Sequence, residues 1–267
     1  MTVSGDLGGG GGPRSGLGAD VHADAVARET RRFAALLERG DLSAPVPGCP
    51  GWTLLDLVRH TGGVQRWFAA LLRAGVQEAP RTREVQLDLP EREDAYGAWL
   101  VAGAELAARA FAEVDTDGPM WTWGADPHAR FWVRRMLYET LVHRTDAEAA
   151  LGLPTVIDPV LAADGVDEFL VNLPYATPFA PGVARLRGRD EVLRFRADDT
   201  GQEWLVQLRS DEFGLIRATG QAADASVRGA AADLLLLLYG RLGRDAEAFR
   251  TAGDPELLDR WFDNSAF

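Results

Sequence analysis

Glu139 and His143 stand four residues apart in the stretch Arg135-Met136-Leu137-Tyr138-Glu139-Thr140-Leu141-Val142-His143-Arg144-Thr145-Asp146. On a helix that spacing stacks a carboxylate and an imidazole on one face, about a turn apart, where they could grip one side of a divalent ion. A second stretch, Gly48-Cys49-Pro50-Gly51-Trp52-Thr53-Leu54-Leu55-Asp56-Leu57-Val58-Arg59-His60, ends in another histidine. From a separate helix, His60 could supply a third ligand. Two histidines and one glutamate leave a coordination position open, which is the pattern of a catalytic zinc site, whereas structural sites fill all four positions. A Glu–His pair at this spacing also serves as a surface ion pair or a helix-face hydrogen bond, and both readings stand at this point. The chain has four histidines, and two of them fall at these positions.

Such a constellation needs helices to hold it, and the first half of the chain supplies them. From Asp20 to about Arg39, Val26, Phe33, Leu36 and Leu37 recur with helical spacing, and Gly40 ends the segment. A Pro/Gly-rich loop follows from Ala44 to Gly51. Thr53 then serves as N-cap, with Asp56 three residues on to complete a capping box. The second helix runs to about Gly75 and carries His60 on its buried stripe. Gly62-Gly63 in mid-helix costs roughly 1 kcal/mol per Gly relative to Ala, a cost that points to a neighbouring backbone or ligand coming close there. A third helix reads from about Pro90 to Val114 and a fourth from about Ala129 to Leu151, stopped by Gly152 and Pro154. The polar connection between them holds Trp121 and Trp123. Four amphipathic helices with longer connections predict a four-helix bundle, a fold that builds metal sites from side chains facing its core.

After Pro154 the texture changes. Pro159–Leu173 reads as a short helix and Pro174–Gly182 as a linker. Strand character follows at Ala184–Leu186, Val192–Arg196, Trp204–Leu208 and Gly214–Ala218, with Asp198-Asp199-Thr200-Gly201 as a hairpin-type turn. Ala225–Gly240 reads as an apolar helix and Pro255–Phe262 as a short terminal one. The fold class is therefore α+β: residues 1–18 a Gly-rich disordered tail, 19–155 the bundle, 156–182 a connecting helix and linker, and 183–267 a small α+β domain.

Composition narrows the chemistry. The 267 residues are 46% hydrophobic and 25% charged, ordinary for a globular protein long enough to bury a sizeable core. A net charge of −12 argues against nucleic acid or an anionic membrane as partner. All 28 basic residues are arginine, so lysine Schiff-base chemistry and a lysine-based phosphate loop are excluded. Cys49 is the single cysteine, so no internal disulfide can form and the compartment is a reducing one. No signal peptide or membrane span is visible, since Leu234–Leu238 is far too short to cross a bilayer; a cytoplasmic protein is expected.

Pro50-Gly51-Trp52-Thr53 followed by Asp56-Leu57-Val58-Arg59-His60, and then Glu139-x-x-x-His143-x-x-Asp146, resembles the mycothiol-dependent maleylpyruvate isomerase family. That family belongs to the DinB-like metalloprotein superfamily and is typical of actinobacteria. Ala225-Ser226-Val227-Arg228-Gly229 through Leu238-Tyr239-Gly240-Arg241 is similar to its C-terminal, sterol-carrier-like domain. The resemblance implies zinc held by His60, Glu139 and His143, and mycothiol as a thiol cosubstrate that zinc would bind and activate. It implies a small electrophilic substrate, with isomerisation or thiol S-transfer as outcome. Arg241 matches an active-site arginine of the isomerase; a helix-end arginine facing the dipole is the competing reading. Arg228 could bind a carboxylate of cosubstrate or substrate, or be a plain surface residue. One departure matters: Arg59 and Thr61-Gly62-Gly63, around His60, look more like the large uncharacterised branch of the family than the isomerase itself.

Other residues and classes were open on the same reading. Cys49 has no His or Asp partner evident along the chain, which favours a structural role. His22 and His128 read as solvated. Trp121, Trp123 and Trp132 read as filling the end of the bundle. Asp146 and Asp56 are the candidates for the hydrogen bond that a metal-bound histidine needs on its other nitrogen. A non-catalytic protein holding metal or a small ligand, or a regulatory protein using the bundle as scaffold, are the alternatives to an enzyme. Iron held by three histidines is disfavoured because Glu replaces one. Monomer and homodimer are both compatible.

Overall fold

In the computed structural model the described residues are 17–38, 40–82, 85–217 and 220–266. The expected tail therefore lies outside them, apart from its last two residues. The chain divides into two compact units. The first comprises Leu17–Thr122 and Asp126–Thr155; the second comprises Trp123–Ala125 and the chain from Val156 onward.

The first unit is a four-helix bundle of α1 (Ala19–Leu37), α2 (Leu54–Ala74), α3 (Tyr96–Glu113) and α4 (Arg130–Ala150). α1 packs against α3 and α4, and α2 against the same pair, so α1 and α2 take opposite corners. Phe33, Leu54, Leu57, Val58, Tyr96, Trp99, Leu100 and Ala147 form a buried cluster among all four helices. Burying such aliphatic and aromatic side chains is worth about 1.5–3 kcal/mol each and drives the assembly.

α2 begins on a complete capping box. The Asp56 amide donates to Thr53 Oγ1 at 3.3 Å, and the Thr53 amide donates to Asp56 Oδ2 at 2.9 Å. It ends at Gly75, whose φ of 53° closes the last turn in the left-handed region. At Gly62 the close neighbour is a side chain. A Cβ there would lie 2.2 Å from the Trp99 ring of α3, so the glycine makes room for an aromatic side chain. Trp99 is fixed in turn by its indole N–H, which donates to the Leu87 carbonyl at 2.8 Å, and by the Arg66 guanidinium 4.0 Å from its ring centroid. α3 starts later than the sequence predicts, after a 3₁₀ turn at Glu93–Ala95.

The second unit carries α5 (Pro159–Asn172), β1 (Glu191–Ala197), β2 (Glu203–Leu208), β3 (Phe213–Ile216), β4 (Ala225–Gly229), α6 (Ala231–Leu238), β5 (Arg250–Gly253) and α7 (Pro255–Phe262). The sheet order is β3-β2-β1-β4-β5; β1 and β4 run parallel and the other pairs antiparallel. Its inner face is held by Trp261 of α7, fully buried against Phe195 and Phe213.

Two expectations are corrected, and one strand, β5, was not expected at all. Ala184–Leu186 is no strand: Pro181–Arg185 winds into a 3₁₀ helix, for which a leading proline is well suited. The apolar segment Ala225–Gly240 is a strand and a helix, because Ala225, Val227 and Gly229 alternate inward and pair with the free edge of β1. β5, exposed throughout, has no hydrophobic alternation to announce it. Among the described residues no helix is long and apolar enough to cross a membrane.

Candidate metal centre

The two motif stretches meet inside the bundle unit. His60 on α2 and Glu139 and His143 on α4 each offer a ligand atom, and the three atoms lie within 4.8 Å of one another. Glu139 Oε2 is the hub, 3.4 Å from His143 Nε2 and 4.0 Å from His60 Nε2. Ligands held tetrahedrally at zinc distances of 2.0–2.2 Å sit about 3.3–3.6 Å apart, so this spacing suits the metal with little adjustment. His60 keeps 37% of its side-chain surface and His143 only 11%, so the cluster opens on the His60 side.

The remaining atoms of the cluster are also engaged. His143 Nδ1 lies 3.0 Å from Oδ2 of Asp146, which is fully buried. That contact fixes the ring so that Nε2 faces Glu139 and His60, the usual device for orienting a metal-binding imidazole. Glu139 Oε1 turns the other way, 3.3 Å from the guanidinium of buried Arg135. Burial opposes the charge on Glu139, but Arg135, the hydrogen bond from His143 and the charges of both histidines outweigh it and hold the carboxyl well below its ordinary range. Burial likewise opposes protonation of His143, yet Asp146, Cys49 and Glu139 together raise its pKa well above the ordinary value.

Two residues join the centre that the sequence did not place there. Cys49-Pro50-Gly51-Trp52 is a tight turn, closed by the Trp52 amide donating to the Cys49 carbonyl at 3.0 Å. Gly51 has φ 86°, as a proline–glycine type II turn requires at its third position. The turn seats Cys49 Sγ 3.6 Å from Asp146 Oδ2, which corrects the expectation that this thiol has no acidic partner. It also seats the Trp52 ring 5.0 Å from the His60 ring and 6.5 Å from that of His143. The Pro-Gly pair was the available signal for the turn; its docking against α4 is tertiary and leaves none. Arg135 could have been found, since it precedes Glu139 by four residues.

The chain matches the mycothiol maleylpyruvate isomerase N-terminal domain over residues 23–148 and the C-terminal domain of the same family over residues 160–260. It belongs to the mycothiol-dependent maleylpyruvate isomerase family. The family is one of enzymes, and the two matched domains fall on the four-helix bundle and on the α+β unit that follows it. Two solved structures are similar: mycothiol-dependent maleylpyruvate isomerase, with a TM-score of 0.58 at 17% identity, and a histidine-to-alanine mutant of it, with 0.59 at 14%. Each alignment covers 88% of this chain and 93% of the other, and at such identity the likeness is one of fold. No curated protein matches it.

The other residues singled out in this family member lie as follows. Asp56 is spent on capping α2 and does not serve a histidine. His22 is buried on the α1 face shared with Val26 and Glu29, not solvated. His128 is half-buried, 2.5 Å from Asp126. Trp132 is fully buried and packs on Trp67, Phe68 and Trp121 in the bundle, whereas Trp123 belongs to the second unit, 4.9 Å from Phe179. Arg241 follows α6 and donates to the Tyr239 carbonyl at 2.6 Å. Arg228 lies on the exposed side of β4 and pairs with Asp198 at 2.8 Å.

Proposed function

We propose that His60, Glu139 and His143 hold a zinc ion, and that the protein uses mycothiol, or a related small thiol, as nucleophile on a small electrophile. The reaction is then S-transfer or a maleylpyruvate-isomerase-like cis–trans isomerisation. The convergence of the three ligand atoms within 4.8 Å, with Asp146 orienting His143, is the observation that carries this reading. Zinc so held would lower the pKa of a thiol beside it, so that the cosubstrate meets its electrophile as the thiolate.

The chain's own residues divide the remaining work. Asp146 accepts a hydrogen bond from the Nδ1–H of His143, and in that tautomer the Nε2 lone pair is free to coordinate. Arg135, with the two histidines, favours the ionised form of Glu139, so the glutamate offers a charged oxygen to a metal. Trp52 covers one side of both imidazoles and sheds water there, which strengthens electrostatic interactions at the centre. Arg241 is proposed to bind an anionic group of the substrate.

Metal analysis of the purified protein, beside His60→Ala and His143→Ala, tests this. About one zinc per chain, lost in both variants, is expected for a three-ligand site. Turnover of electrophiles should then require both mycothiol and the metal. A folded wild-type protein that carries no metal, and takes up none from a zinc solution, would sink the reading.

A further inference from the structure

The outer face of the C-terminal sheet carries a row of arginines that the chemistry above leaves unused. Arg196 of β1 stands directly opposite Arg228 of β4, and Arg228 directly opposite Arg250 of β5. Residues in register on neighbouring strands point to the same side, so three guanidinium-bearing side chains line up across three strands, about 4.8 Å apart per strand. That side faces solvent. On β1 and β4 the residues alternating with them, Phe195, Ala197 and Val227, are buried, whereas β5 is exposed on both sides; Arg196 and Arg250 are exposed and Arg228 keeps 51% of its side-chain surface.

Like charges directly opposite one another destabilise a sheet. Only the middle of this row is relieved, where Asp198 pairs with Arg228 at 2.8 Å. Glu203 stands opposite Arg196 but is turned to Arg194, 3.4 Å away. Among the described residues no carboxylate pairs with Arg196 or Arg250. The chain has 40 acidic residues against 28 basic ones, so these two arginines are not left unpaired by a shortage of carboxylates.

We propose that the row binds a compact anion carrying two phosphate groups, one gripped by Arg196 and the other by Arg250. The planar guanidinium fork matches phosphate oxygens two at a time, which suits arginine to this task. The outer two arginines are two strand spacings apart, about 10 Å, within the span of a small bisphosphate. The size of the row favours a small ligand, since three side chains fall far short of the roughly 800 Å² that each partner buries in a stable protein interface. Charge favours it too. A net charge of −12 repels a long polyanion or an anionic membrane, whose charges extend past the screening distance of about 10 Å, while a compact ligand stays within the field of the arginines. The site lies wholly in the second unit and is independent of the metal reading.

The probe is fructose 1,6-bisphosphate, with fructose 6-phosphate as the one-phosphate control, titrated calorimetrically into the full chain. The bisphosphate should bind, and binding should weaken as salt rises. The monophosphate should bind about tenfold more weakly, the loss of one charge-assisted contact, and the double variant Arg196→Gln with Arg250→Gln should bind the bisphosphate about a hundredfold more weakly, the loss of two. Without ligand the double variant should melt above wild type, because the repulsion along the row is gone. Equal binding by wild type and double variant, no bisphosphate binding at millimolar concentration, or a double variant that melts below wild type overturns the proposal.

Discussion

Asp146 is the residue on which the proposed metal centre turns, because it faces the far nitrogen of His143 from full burial. Asp146→Asn keeps the shape and removes the charge, and zinc affinity should fall about 10- to 100-fold with the fold retained. Competition against a chelating dye measures it. The pH dependence of the metal-free protein has a definite sign. His143 has a raised pKa, so its contribution to stability is complete below the unfolded value of 6.5 and is lost as pH climbs through the folded value. Glu139 has a lowered pKa, so its contribution is complete above 4.5 and is lost as pH falls through the folded value. Zinc bound through His143, as proposed, would displace its proton, so its affinity would rise over the range where the metal-free protein weakens. Melting curves with and without zinc should therefore separate as pH rises above 6.5. Parallel curves would show that zinc does not bind through His143. At this scale helical spacing put Glu139, His143 and, nearly a turn on, Asp146 on one face, while His60 was singled out by the family resemblance; the structure brings the three candidate ligands together. Cys49 and Trp52 stayed hidden because a turn carries them to residues about ninety positions away, which no local pattern records.

Among the elements, α2 carries the heaviest constraints. Gly62→Ala gains helix propensity of about 1 kcal/mol, yet places a methyl group against an indole that is pinned on both sides. Because the ring cannot yield, overpacking wins, and a net destabilisation of about 1–3 kcal/mol is expected in denaturant unfolding. Thr53→Ala breaks the capping box and should cost about 1 kcal/mol in the same assay. α1, α2 and α4 were legible to within a residue or two at each end, whereas α3 begins six residues later than its sequence reads, because Glu93–Ala95 winds as a 3₁₀ turn. The strands of the second unit were legible where apolar residues alternate, as in β1 and β2. β4 and β5 were not, since one is a short run of small residues and the other an exposed edge, and both exist only through pairing with neighbours already in place.

For the molecule as a whole, every candidate ligand belongs to the bundle unit, and so do Asp146, Arg135 and Trp52 that serve them. A fragment spanning residues 17–155 should thus retain zinc binding close to that of the full chain, measured by the same dye competition. A fragment that folds, by circular dichroism, yet takes up no zinc would show that the second unit is needed to build the centre. The change of texture after Pro154 made the division into two parts readable, whereas Trp123–Ala125 joins the second unit by contacts that sequence proximity does not foretell.

Gly62 and Trp99 also bear on how such a protein can drift. Neither can be exchanged alone: a larger residue at 62 meets the ring, and a smaller one at 99 leaves a void beside Gly62 and strips Arg66 and the Leu87 carbonyl of their shared partner. Gly62 and Trp99 must therefore change together, and Gly62, two residues from the candidate ligand His60, ties that history to the proposed metal centre.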